Sequence, residues 1–219
     1  MANIEGQKIG VGALIINPND PEYFLAVQES NTNRSTRKLR GMLSAPFETI
    51  ERGESHREAL SRMINDGENG GEEISVITGK IIIPGEIEPS KLCEVDFDDR
   101  VKLVAYLLEG TTDLRITGGR YPDVIGDPQW VKIDDVLDTF HYPEWFRFRP
   151  GMIEIVESYK RYSDSRGTFS PGIFPQVRLQ IPDYSYALID SGVNLEEFLN
   201  QQAYLPQPQL TDPALSHLR

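Results

Sequence analysis

The stretch APFETIERGESHREALSRMINDG, Ala45 to Gly67, decides how the chain is read. It opens as a strand-like approach, turns at Gly53-Glu54-Ser55 and continues as a short amphipathic helix. Ser55 is an N-cap candidate, and Glu58, three residues on, completes a capping box that satisfies backbone N–H groups at the helix start. Ala59, Leu60, Met63 and Ile64 form one apolar stripe, while Arg62 stands four residues from both Glu58 and Asp66. The pattern predicts a helix over 55–66, stopping at Gly67 before the breaker run Asn69-Gly70-Gly71.

Working outward, KIGVGALIIN (8–17) and EYFLAVQ (22–28) read as strands joined by the turn Pro18-Asn19-Asp20-Pro21. Residues 31–40 are a polar, basic loop. ISVITGKIIIP (74–84) and VKLVAYLLE (101–109) are rich in β-branched and aliphatic residues and read as strands. The acidic stretch between them, from Glu86 to Asp99, reads as loop in part. PQWVKI (128–133) is a shorter strand leading into a helical turn over 134–139, and GMIEIVESYKRY (151–162) is a second helix behind Pro150.

Composition shifts after Tyr162, which divides the chain into a domain over 1–163 and a C-terminal extension over 164–219. In the extension, QVRLQI and YSYALI read as strands and NLEEFLNQQ as a short helix. Its apolar residues, Phe169, Phe174, Tyr186 and Phe198 among them, exceed what a free tail carries. The extension is therefore expected to dock, on its own domain or on a neighbouring subunit; swapped edge strands would give a homodimer.

The 219 residues suit one domain plus an extension, and 39% hydrophobic content suffices for a core. A formal net charge of −12 argues against an extended nucleic-acid surface, which needs clustered Lys and Arg. No apolar run approaches the roughly 18 residues that a membrane span requires, and MANIEGQKIG lacks the apolar core of a signal peptide. The single cysteine, Cys93, has no partner for an internal disulfide, so it is read as structural and the expected compartment is a reducing cytoplasm. Arg34, Arg37, Lys38 and Arg40 place four cations in seven residues. They read either as a solvated loop or as a ligand-binding patch for phosphates.

Pro46 to Ser55, with Ala59 and Arg62, resembles the opening of a Nudix box, written G-x5-E-x7-R-E-U-x-E-E-x-G-U with U aliphatic. Glu54 and Arg62 keep the motif's spacing, and Ile64 fills an aliphatic position. DPQWVKIDDVLDTF and FRFRPGMIEIVESY resemble the closing strand and helix of that fold, so the resemblance spans roughly 8–162. It implies an α/β class, an α/β/α sandwich with a mixed sheet. It also implies water attack on a phosphoanhydride, with magnesium neutralising charge and activating the water.

The motif's carboxylates are depleted here. Its first Gly is Glu48, preceded by Phe47 where a second Gly is usual. The Glu after the Arg is Met63, the paired glutamates fall on Asp66 and Gly67, and the last Gly falls on Asn69. Three readings follow. The first is a Nudix-fold protein that binds a nucleotide or other phosphorylated small molecule with weak or no hydrolysis. The second is an active magnesium-dependent hydrolase of nucleoside-diphosphate-linked compounds, with Glu54 and Asp66 catalytic and the metal on Glu48, Glu54 and Asp66. The third is a structural or interaction module.

Each candidate also has a plainer role. Glu48 can pair with an arginine, and Glu54 can lock the loop to the helix through Arg62. The segment Glu94 to Asp99 is a further source of carboxylates from across the sheet. His56, His141 and His217 are expected on the surface, and Trp130 and Trp145 in the core or a pocket wall.

Overall fold

A computed structural model describes residues 8–64, 70–98, 101–120, 126, 128–138, 147–165, 169–175, 181 and 183–203. In chain order the strands and helices are β1 (Lys8–Asn17), β2 (Asp20–Gln28), β3 (Leu43–Ser44), β4 (Phe47–Thr49), α1 (His56–Ile64), β5 (Ile74–Thr78) and β6 (Ile81–Ile82). There follow β7 (Lys91–Asp98), β8 (Val101–Gly110), β9 (Arg115–Gly118), β10 (Gln129–Lys132), α2 (Ile133–Leu137) and α3 (Met152–Asp164). The described chain closes with β11 (Gly172–Phe174), α4 (Asp183–Asp190) and α5 (Leu195–Ala203).

The fold is mixed α/β, built on one large mixed sheet in the order β10-β2-β1-β8-β7-β11. Strand β1 is its axis, parallel to β8 and antiparallel to β2 and β4. Its alternation serves two cores, as a central strand's must. Val11, Ala13 and Ile15 face one layer with Ala59, Leu60, Met63 and Ile64 of α1. Leu14 and Ile16 face the other, with Val136 of α2 and Met152, Ile153, Ile155 and Val156 of α3. The sheet therefore lies between α1 on one side and α2 and α3 on the other. Strands β5 and β9 form a separate antiparallel ribbon.

Three sequence expectations need correction. The run 74–84 is two strands, because the chain turns at Gly79 (φ +75), where a Cβ would come within 2.8 Å of the Leu114 Cα. The acidic stretch contains the strand β7, whose Cys93, Val95 and Phe97 are buried while Glu94 and Asp96 turn toward Lys102. YSYALI is helical within α4; Tyr186 and Ile189, three apart, bury one helical face against Leu39 and Met42. Of QVRLQI, only Ile181 falls within the described residues.

Residues beyond 163 return to the body of the protein. β11 extends the sheet edge in parallel with β7, pairing Gly172 with Cys93, and Phe169 and Phe174 pack on the core. Among the described residues no helix is long and apolar enough to cross a membrane.

Candidate functional site

The box segment folds around Arg62. The capping box forms as its residue types require: Ser55 N–H donates to Glu58 Oε2 (2.8 Å) and Glu58 N–H to Ser55 Oγ (3.3 Å). This fixes the start of α1, so Arg62 projects back at the incoming loop. Its Nε and Nη2 grip the two oxygens of Glu54, both at 2.9 Å, and Nη2 also donates to the Thr49 carbonyl at 2.8 Å. Nη1 bonds Glu72 and lies 3.7 Å from Glu48. The Arg62 hydrogen bond holds Glu54 below the usual carboxylate range, and Glu54 in turn raises the guanidinium. Since Glu54 Oε2 also accepts the Glu51 N–H at 2.8 Å, both its oxygens serve the loop-to-helix lock.

Residues 72 and 73 bond to the last turn of α1. Glu72 N–H donates to the Arg62 carbonyl at 3.0 Å and Glu73 N–H to the Met63 carbonyl at 3.1 Å. In an unbroken α-helix those carbonyls would accept from residues 66 and 67. Glu72 and Glu73 thus reach the carbonyls that stand four residues before positions 66 and 67, the positions on which the box's paired glutamates fall. Gly71 makes this approach possible, since a Cβ there would lie 2.3–2.4 Å from backbone atoms of Ile64, Met63 and Ile74. Asp66 itself lies outside the described residues.

Two of the carboxylates, Glu48 and Glu73, line a cavity of about 250 Å³. Its wall includes Glu48, Glu73, Lys38, Lys102 and Arg149. Glu48 comes from β4, where it faces Val11 of β1 across the ladder. Burial raises the Glu48 carboxyl, and its contact with the Glu72 side chain adds to the rise against the pull of Arg62. Glu73 is buried and accepts the Phe47 N–H at 2.8 Å. Desolvation pushes it well above the ordinary 4.5, with Glu29 and Glu48 reinforcing the shift. Glu29, 1% exposed, bridges two of the cations: Lys38 Nζ at 2.6 Å and Arg149 Nη1 at 2.9 Å.

Magnesium takes oxygen donors and commonly uses one or two carboxylates plus substrate phosphates. The touching, partly buried pair Glu48 and Glu72 fits that chemistry, because a cation between two carboxylates relieves the repulsion that raises Glu48. Among the described residues no group of three His, Cys, Asp or Glu side chains is arranged to hold a metal ion.

The four basic-loop residues diverge. Lys38 lines the cavity. Arg34 stacks over the Tyr186 ring at 5.2 Å, and Arg40 Nη2 donates to the Gly192 carbonyl at 3.5 Å, both toward the C-terminal helices. Arg37 adopts the left-handed backbone conformation (φ 52) closing a short 3-10 turn, and its charge acts on Tyr186. His56 is not a surface residue. It is half-buried, its Nδ1 2.7 Å from the Tyr106 hydroxyl, and desolvation lowers its pKa. Trp130 packs against the core, while Trp145, His141 and His217 lie outside the described residues. In β7, Glu94 is held by Lys91 (2.7 Å) and Lys102 (3.0 Å), away from the box.

Sequence reading missed Glu29, Glu72, Glu73, Lys102 and Arg149. Glu29 carried a signal: a carboxylate just after the apolar run Phe24–Val27 needs a partner if it is buried with that run. Glu72-Glu73 carried another, a glutamate pair directly after a Gly-Gly, six residues beyond the motif's expected place.

No protein-family model matches the sequence, and no curated protein matches it. Nudix hydrolases are among the solved structures it resembles. One, a Nudix hydrolase from Nitrosomonas europaea, is 14% identical over 80% of this chain and 82% of that chain, with a TM-score of 0.47. An ADP compounds hydrolase is 12% identical over 73% and 75%, with a TM-score of 0.45. A UDP-X diphosphatase is 13% identical over 78% and 69%, with a TM-score of 0.47.

Proposed function

We propose that the chain binds a small phosphorylated compound, a nucleotide or a related phosphate ester, in the cavity bounded by β4, β8 and the basic loop. The observation that carries this reading is the convergence of Lys8, Lys38, Lys102 and Arg149 on one cavity wall. An acidic protein needs such a local positive field to hold a polyanion. Two of these cations are already organised by Glu29, so little side-chain freedom is lost on binding. Hydrolysis is weak or absent in this reading. Glu54 is committed to Arg62, and burial raises the Glu73 carboxyl, which opposes its use as an anionic ligand.

The bonding of Glu72 and Glu73 to the last turn of α1 supports a second reading, a magnesium-dependent hydrolase of nucleoside-diphosphate-linked compounds. Glu48 and Glu72 would hold the metal, which when bound neutralises phosphate charge and activates water. Arg62 would orient Glu72, and Glu73 would form the buried floor.

Thermal shift and calorimetry with ADP, ADP-ribose, a UDP-sugar and pyrophosphate test binding; phosphate release with magnesium and manganese tests turnover. Saturable binding with turnover far below the enzyme median of ~10 per second fits the first reading. Turnover near that median, lost in Glu48→Gln and Glu72→Gln, would replace it with the second. Absence of binding across the panel would end both.

A further inference from the structure

We propose that the C-terminal helical hairpin α4–α5 is a clamp that positions the wall of the ligand cavity from outside it. This rests on the cavity being the binding site. The loop between β2 and β3 has two faces. One carries Asn33, Thr36 and Lys38 to the cavity. The other buries Leu39 and Met42, both fully enclosed, in a separate core made with Tyr186, Ile189, Leu195 and Phe198. Among the described residues, no helix of the main sandwich contributes to that core.

Within the loop, Asn33 and Lys38 exchange backbone bonds at 2.9 and 3.0 Å, Ser35 N–H donates to Asn33 Oδ1 and Arg40 N–H to Thr32 Oγ1, and at its base Gly41 N–H donates to the Glu29 carbonyl at 2.7 Å. Lys38 ties it to Glu29, and the hairpin adds the Arg34–Tyr186 stack, the Arg40–Gly192 bond and the apolar packing of Leu39 and Met42. Gly41 seats directly under Leu195; a Cβ there would come within 3.0 Å of the Leu195 Cβ. Local stability follows buried apolar contact, so the order of this loop depends on α4–α5. Lys38 meets Glu29 at 2.6 Å only while the loop keeps this path. Tyr186, Leu195 and Phe198 are positioning residues that never touch the ligand.

The test uses the full chain with Tyr186→Ala, Tyr186→Phe and Leu195→Ala. Amide hydrogen exchange is read over residues 33–42 and, as a folding control, over β1 and β8. Inorganic pyrophosphate is the calorimetric probe. Tyr186→Ala and Leu195→Ala should speed exchange across the loop by roughly tenfold or more while β1 and β8 stay protected. They should weaken pyrophosphate by a similar factor, and Tyr186→Phe, which keeps the ring, should restore both. Unchanged loop exchange overturns the clamp, as does faster exchange with unchanged affinity. If the parent protein does not bind pyrophosphate, the binding-site reading fails for that probe, and loop exchange alone decides the clamp. Should one variant lose protection in β1 and β8 as well, the other carries the comparison.

Discussion

The backbone N–H of Glu72 donates to the Arg62 carbonyl at 3.0 Å, making the bond that residue 66 would make in a continuous helix. Glu73 N–H likewise donates to the Met63 carbonyl at 3.1 Å, so residues 72 and 73 meet the last carbonyls of α1. That geometry depends on Gly71. Gly71→Ala should displace this segment, destabilise the fold by about 1–3 kcal/mol and remove any magnesium-dependent response of ligand binding. Urea denaturation and calorimetry with and without magnesium check both; a variant as stable as the parent would show that the backbone there yields.

Arg62 is the hub that holds the incoming loop, α1 and Glu72 together. Arg62→Ala leaves Glu54 and Glu72 without their cation and should cost about 2–4 kcal/mol, part of it from the lost Thr49 contact. Arg62→Lys should recover only a minor part, because an ammonium cannot grip both Glu54 oxygens and reach Glu72 in one plane. Equal stability of the lysine variant and the parent in urea melts would refute the hub role.

Glu73 gives the protein a signed pH dependence. Its folded pKa is raised, so the folded state binds more protons than the unfolded state between the ordinary 4.5 and the raised value. The stability contributed by the protonated carboxyl is complete below 4.5 and falls as pH rises through the folded pKa. Glu73→Gln keeps an acceptor for the Phe47 N–H but cannot ionise. Its stability advantage over the parent should therefore grow from pH 5 to pH 8, read as the difference in Tm. A constant difference across that range would mean that Glu73 does not titrate there.

Cys93 should be chemically silent in the native protein. It is fully enclosed, and burial pushes the thiol up to about 12. An aromatic disulfide reagent at pH 8 should label it only on unfolding, at a rate that follows global opening in denaturant. Rapid labelling of the folded chain would show that β7 opens locally beneath β11.

The strands β1, β2, β8 and β10 and the helices α1 and α3 were legible in the sequence because local pattern and tertiary demand agree there. At Ser55 and Glu58 the capping signal is wholly local, and the structure uses it as written. Elsewhere the deciding term was non-local. Gly79 breaks an apolar run because Leu114 and Thr111 crowd it, and nothing in 74–84 encodes that crowding. YSYALI has alternating apolar positions that suit either period; Leu39 and Met42, far back in the chain, select the helix. The site was half visible: Glu54 and Arg62 stand at motif spacing, and Glu48 stands out as a carboxylate where the motif has its first Gly. Glu72 and Glu73 do not stand at that spacing; what brings them to the end of α1 is their backbone bonding to Arg62 and Met63, which sequence distance does not record.

β11 has a consequence for the order in which the protein is made. Three residues near position 173 cover the outer margin of β7, a strand laid down at 91–98. On the ribosome that margin stays open until the later segment emerges, presenting a row of unpaired N–H and C=O groups. A chain cut after residue 163 would keep the opening permanently. Such fragments should stick to one another through β7, so self-association produced by trimming the protein would be an artefact of the cut.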